Sequence, residues 1–135
     1  MKSLLVERII HVPLEKVWAA ADFTKTQGPY PVTVEKEGDP NLYGLGCQRM
    51  IIFDKREVHE RLESIDPPNS YTYKILSGSP VKFYLGKAEF IAAGDHTRIR
   101  WSGEFVPKIP GIGWIIANST RKYINTIINE MEKSL

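Results

Sequence analysis

A single cysteine, Cys47, stands in the whole chain, so no disulfide can form within it. A lone thiol fits a reducing compartment, and the cytoplasm is the expected location. Charge of one sign is also missing: 18 basic against 16 acidic residues leave a net charge of +2. Lysines and arginines are interspersed with carboxylates rather than gathered into a patch, so nucleic acid is excluded as the expected partner. Long apolar runs are absent too. After Lys2 the first is Leu4 to Val6, broken by Glu7 and Arg8. That is too short for a signal-peptide core or a membrane span, so no integral membrane segment is expected. Without a secretion signal, Asn118-Ser119-Thr120 is a chance match to the glycosylation pattern. His11, His59 and His96 are scattered. No HExxH, CxxC, GxGxxG or GxxxxGK[ST] pattern occurs, so neither a metal nor another cofactor is expected.

What is present reads as one domain spanning residues 1–135, without repeats or linkers. A chain of this length buries roughly two-thirds of its unfolded surface and needs no covalent staple. Residues 3–11 form a strand-like run ended by Pro13, and residues 13–21 read as a helix. Proline suits the first turn because the N–H it lacks has no partner there anyway. Gly28, Pro29 and Pro31 keep any second helix brief, and Val32 to Glu37 alternates like a strand. From residue 46 to 107 the signal is almost all strand, in runs near 46–54, 57–66, 70–77, 82–93 and 96–106. Their short connections favour antiparallel neighbours.

These runs can be paired from their turns. A turn at Lys55-Arg56 sets Ile51 opposite Glu60, Phe53 opposite Val58 and Arg49 opposite Leu62. Pro67-Pro68 sets Leu62 opposite Tyr73 and Glu60 opposite Ile75. Gly94-Asp95 sets Phe90 opposite Ile99, Ala88 opposite Trp101, Gly86 opposite Gly103 and Tyr84 opposite Phe105. One face then collects the aliphatic and aromatic side chains. The other collects His59, Arg61, Glu63, Lys74, Lys87, Glu89, Arg98 and Arg100, with Glu89 across from Arg100 as a stabilising pair. A slip of one residue would invert both faces, so the clean segregation supports the pairing.

A one-sided sheet must cover its apolar face. Residues 111–133 carry Ile112, Ile116, Tyr123, Ile127 and Met131 at helical spacing. Such a helix is about 34 Å long, enough to cross a sheet. One helix cannot fill the concave side of a curved sheet of about seven strands, so a cavity is expected. Gly86 facing Gly103 marks a bend and open space in its wall.

Strand, two short helices, six strands and one long helix is the helix-grip arrangement, an α+β fold in which a curved seven-stranded antiparallel sheet wraps the C-terminal helix. The chain resembles the START/Bet v 1-like (SRPBCC) superfamily, in particular its polyketide cyclase/dehydrase-like branch. The resemblance rests on Val12-Pro13 with Val17-Trp18 and Asp22-Phe23; Gly44 to Arg49; Glu60-Arg61-Leu62; Tyr71 to Ile75; Pro80-Val81 with Tyr84; and Thr97 to Phe105 around Trp101. It implies an internal pocket for an apolar or amphipathic small molecule. It leaves the reaction open, since such domains include cyclases, dehydratases, lipid carriers and plain binders.

The expected ligand-binding set is Arg49, Glu60, Tyr73, Tyr84 and Trp101, with Phe53, Ile75 and Phe90 as apolar wall. Arg49 and Glu60 fall on the apolar face, diagonally across a hairpin, where an unpaired charge would be costly. They either neutralise each other, fixing the register, or meet a ligand. Two functions follow. One is a binder or carrier of a lipid-like, polyketide-like or aromatic molecule. The other is a cyclase/aromatase/dehydratase-type enzyme in which Glu60 is the catalytic acid/base while Arg49 and Tyr73 polarise a carbonyl. Partial desolvation makes a carboxylate a stronger proton acceptor, which suits Glu60 to that role. The aromatic residues serve equally well as core filling.

Arg8 faces inward if Val6 and Ile10 do. Cys47 reads as a buried thiol rather than a nucleophile, and Asp22 as a partner for backbone in a turn. Segment 108–114, with Ile109, Ile112 and Trp114, reads as a lid, a partner-facing patch or a plug for the end of the sheet. A protein-interaction module docking through residues 109–116 and a homodimer are the remaining partner options.

Overall fold

The computed structural model describes residues 1–135. In chain order it contains β1 (Lys2–Ile10), α1 (Leu14–Ala20), β2 (Val32–Lys36), β3 (Gln48–Phe53), β4 (Arg56–Asp66), β5 (Ser70–Ser77), β6 (Val81–Ala93), β7 (His96–Pro107) and α2 (Gly113–Ser134). The strands form one antiparallel sheet in the order β1-β7-β6-β5-β4-β3-β2. The fold is the expected helix grip, with one difference. After α1 a turn over residues 22–25 and the Gln27–Tyr30 bridge replace the second short helix. Gly28 at φ +57° and the prolines beside it cannot sustain helical hydrogen bonding there.

Period-two alternation decides which side chains turn inward. Leu4, Val6 and Ile10 of β1, Tyr71 and Tyr73 of β5, and Ile99, Trp101 and Phe105 of β7 are all buried. They form one apolar cluster with Ile116, Ile124, Ile127 and Ile128 of α2. Arg8 shares their face but stops at the helix, donating to Asn125 Oδ1 at 3.1 Å and pairing with Glu132. It therefore ties α2 to β1 rather than adding a cation to the interior.

The β6–β7 register is as its turn predicted, including Gly86 opposite Gly103. In β4–β5 the pairs Leu62–Tyr73 and Glu60–Ile75 are as expected, although the pairing beside the turn is offset by one residue (Asp66 opposite Ser70) until the Leu62/Ser64 bulge restores it. The β3–β4 hairpin is shifted by two residues: Arg49 pairs with Glu60, Ile51 with Val58 and Phe53 with Arg56. Its turn is Asp54-Lys55, both at positive φ (51° and 62°), not Lys55-Arg56. Two consecutive left-handed residues make a turn whose twist matches the strands, and glycine usually supplies one of them. A two-residue shift keeps every side chain on its predicted face, so Arg49 and Glu60 still point inward, now directly opposite.

Two smaller expectations fail. Glu89 lies opposite Arg100, but no ion pair joins them: Arg98 bonds Glu7 at 2.7 Å and Lys87 lies 4.0 Å from Glu89. Gly86 and Gly103 do not open space either. A Cβ at Gly86 would sit 2.3 Å from Tyr73 Cζ, and one at Gly103 would sit 2.4 Å from the Tyr84 hydroxyl. The tyrosine rings lie flat on the glycines and fill the room they leave. Gly86→Ala should therefore lower stability by about 1–3 kcal/mol in urea unfolding, because Tyr73 has buried neighbours on its other side. A loss below about 0.5 kcal/mol would show that the ring is free to move.

Helix α2 lies over β1 and β7. At about 33 Å it crosses the sheet, but leaning to one side it leaves β3, β4 and β5 partly uncovered. Bulges at His59/Glu60 and Leu62/Ser64 disturb the β4–β5 ladder there. Bulges bend the strands that carry them, and this one stands beside Glu60. A cavity occupies the resulting gap. No helix is long and apolar enough to cross a membrane.

Candidate functional site: a half-open cavity under the helix

Between β3–β6 and the N-terminal half of α2 lies a cavity of about 420 Å³. The sheet contributes Ile51, Phe53, Val58, Glu60, Tyr73, Ile75 and Tyr84, and the helix contributes Ile115, Ile116, Ser119, Thr120 and Tyr123. Asp54 and Arg56 from the β3–β4 hairpin, with Ser79 and Pro80 from the β5–β6 turn, complete the mouth. Aliphatic and aromatic groups cover the walls, while charge is confined to the mouth and to Glu60. That volume lies within the range of small-molecule pockets, about 300–1,000 Å³.

Glu60 enters the cavity from the protein's most constrained polar contact. Arg49 donates from Nε to Glu60 Oε1 at 2.8 Å, has one terminal nitrogen in ion-pair contact with the same oxygen at 2.7 Å, and donates from the other to the Phe23 carbonyl at 3.0 Å. Its guanidinium carbon lies 3.9 Å from the centre of the Phe23 ring. The turn that presents Phe23 is held by Asp22, whose Oδ1 accepts from the Thr24 N–H (2.8 Å) and hydroxyl (2.7 Å), as expected of that residue. Both charges are buried, Arg49 at 1% and Glu60 at 5% exposure. Burial alone would push Arg49 towards losing its proton; the Glu60 carboxylate overrides this and holds the guanidinium more firmly charged than a free arginine.

The predicted site residues thus separate into two groups. Phe53, Glu60, Tyr73, Ile75 and Tyr84 meet at the cavity. Arg49, Phe90 and Trp101 lie behind its wall; Trp101 donates from Nε1 to the Tyr73 hydroxyl at 3.1 Å, and Phe90 packs against Trp18 and Tyr71. Burial pushes the hydroxyls of Tyr73, Tyr84 and Tyr123 above the ordinary tyrosine range, so they are neutral hydrogen-bonding groups near neutral pH. Sequence reasoning missed the helix's share of the site. The signal was present, since Ser119 and Thr120 interrupt an otherwise apolar stripe where it crosses the sheet.

Other candidates fall elsewhere. Cys47 is fully buried, and burial pushes its thiol up. His59 lies against Glu35 on the outer face, 2.6 Å apart. No group of three His, Cys, Asp or Glu side chains comes together at metal-binding distance. Ile109 and Trp114 remain 60% and 67% exposed and plug nothing, whereas Ile112 packs on the core.

The sequence matches, over residues 1–134, the family described as polyketide cyclase / dehydrase and lipid transport. No curated protein matches. Among solved structures, XoxI from Bacillus cereus superposes with a TM-score of 0.78 at 19% identity, over 99% of this chain and 95% of that one. A START superfamily protein from Mycobacterium smegmatis gives 0.79 at 7% identity, over 97% and 94%. Norcoclaurine synthase from Thalictrum flavum, solved with dopamine and hydroxybenzaldehyde, gives 0.71 at 15% identity, over 98% and 84%. At such identities the likeness is one of fold.

Proposed function

The chain belongs to the polyketide cyclase/dehydrase and lipid transport family, and on that premise we propose that it binds one apolar or amphipathic small molecule between the sheet and α2, as a binder or carrier. The observation that carries this is the cavity of about 420 Å³, apolar along its walls and open at the hairpin end. Burying a drug-sized ligand's hydrocarbon surface in such a site is favourable at roughly 25 cal/mol per Å² before the costs of association are subtracted.

One feature weighs for a binder over the acid/base enzyme. Arg49 is bonded through Nε to Glu60 and through a terminal nitrogen to the Phe23 carbonyl, and it is absent from the lining, so it is poorly placed to polarise a substrate carbonyl.

Thr120→Trp tests the proposal. Thr120 lies in the lining and is half-buried, so an indole there has room to enter the cavity. The variant should keep its stability within about 1 kcal/mol, since it fills space rather than overpacking a full core. Displacement of the neutral fluorophore N-phenyl-1-naphthylamine should show at least about tenfold weaker binding. Unchanged affinity in a folded Thr120→Trp protein would place the ligand elsewhere and sink the proposal.

A further inference from the structure

The Arg49–Glu60 pair leaves one polar atom of the cavity floor without a protein partner. Arg49 meets only Oε1, no protein donor reaches Glu60 Oε2, and Glu60 lines the cavity. Oε2 is not among the atoms sealed off from a solvent-sized sphere. Tyr84 and Tyr123 stand in the same lining, buried to 2% and 9% exposure, but their hydroxyls are closed off from the open space, that of Tyr84 lying over Gly103, so Oε2 is the polar atom left for a ligand. An acceptor left without a donor in a largely apolar site carries a penalty that a matching ligand group relieves.

Resting on the proposed small-molecule site, we propose that this floor selects a neutral ligand bearing a hydroxyl group, a phenol, enol or alcohol on an apolar body, over both its carboxylate and its ammonium counterparts. The argument is one of charge and hydrogen-bond type. Oε2 is an acceptor, so the ligand must offer a donor there. A neutral hydroxyl donates to Oε2 and brings no charge to be desolvated. A ligand carboxylate has no donor and meets another carboxylate. An ammonium can donate, but the charge of Glu60 is already balanced by Arg49, so the cation gives up its hydration without a free counter-charge.

The test uses four probes on one skeleton: naphthalene, 2-naphthol, 2-naphthoate and 2-naphthylmethylammonium, each competed against N-phenyl-1-naphthylamine on the wild-type protein. The expected order places 2-naphthol about tenfold or more above naphthalene, with both charged probes below 2-naphthol. In Glu60→Gln, which leaves Arg49 uncompensated, 2-naphthoate should gain on 2-naphthol. In the charge-free double variant Arg49→Met/Glu60→Leu, 2-naphthol and naphthalene should bind within about threefold of each other. Equal wild-type affinity for naphthalene and 2-naphthol, or a charged probe at the top of the order, would overturn the selectivity while leaving the cavity proposal intact. Failure of all four probes to displace the fluorophore would bring down both.

Discussion

Arg49→Met is expected to lower the unfolding free energy by about 3–5 kcal/mol, and adding Glu60→Leu to it to restore most of that loss. The single change leaves a carboxylate 95% buried beside apolar rings, with nothing to balance it. It also strips the Phe23 carbonyl of its donor. The double change removes both desolvation costs at once and replaces the pair with side chains of similar apolar bulk. Urea unfolding of the four proteins in the cycle would measure this. If Arg49→Met costs less than about 1 kcal/mol, contact of Oε2 with the cavity is enough to compensate the Glu60 charge without Arg49. If the double variant is no better than the worse single one, the aromatic packing around the guanidinium, and not charge balance, is what matters. The cycle thus separates what the pair does for the fold from what Oε2 does for a ligand.

The second large effect is unfolding in alkali. Tyr71, Tyr73, Tyr84 and Tyr123 are each at least nine-tenths buried. Burial, ahead of any neighbouring charge, pushes every one of their hydroxyls above the ordinary value near 10. A group whose pKa is raised on folding contributes stability below its unfolded pKa, and that stability is lost as pH climbs beyond it. Above pH 10 the unfolded chain sheds four protons that the folded one retains. At about 1.4 kcal/mol per pH unit each, stability falls by up to about 5.5 kcal/mol per unit. With a typical reserve of about 5–15 kcal/mol, cooperative unfolding should come within roughly one to three units above pH 10. Tyrosinate absorbance at 295 nm and loss of far-ultraviolet circular dichroism should then coincide. Smooth ionisation of several tyrosines with an intact dichroism signal would mean that solvent already reaches them.

Much of this architecture could be read from the chain, and the reasons are specific. Gly94-Asp95 punctuates its hairpin unambiguously, so the β6–β7 register followed by counting. In β4–β5 the connection runs over residues 67–69, and the counted pairs Leu62–Tyr73 and Glu60–Ile75 hold because the Leu62/Ser64 bulge makes up the extra residue. Asp54-Lys55 carries no glycine, so nothing in the sequence marks it as the left-handed pair of a two-residue turn, and the count there slipped by two. Because side chains alternate with period two, the slip left Arg49 and Glu60 on the correct face and changed only their distance apart. The glycines misled for a different reason. A missing Cβ signals room, but only the three-dimensional arrangement says which ring occupies it.

The site was half legible for the same cause. Strand alternation identifies inward residues, which found Phe53, Glu60, Tyr73, Ile75 and Tyr84. It cannot say which inward residues the helix covers. That depends on α2 leaning towards β1, held by Arg8 to Asn125 and Glu132, contacts separated by more than a hundred residues in sequence. The tilt puts α2 over β1 and β7 and leaves β3–β5 open, while Phe90 is covered by Trp18 of α1.

Native mass spectrometry of the freshly purified protein tests the central claim most directly. The wild-type chain should arrive with one small molecule bound, or take up one from a panel of neutral aromatic and lipid-like compounds, and release it on activation. Thr120→Trp should arrive and remain empty. A folded wild-type protein that carries nothing and takes up nothing would contradict the account.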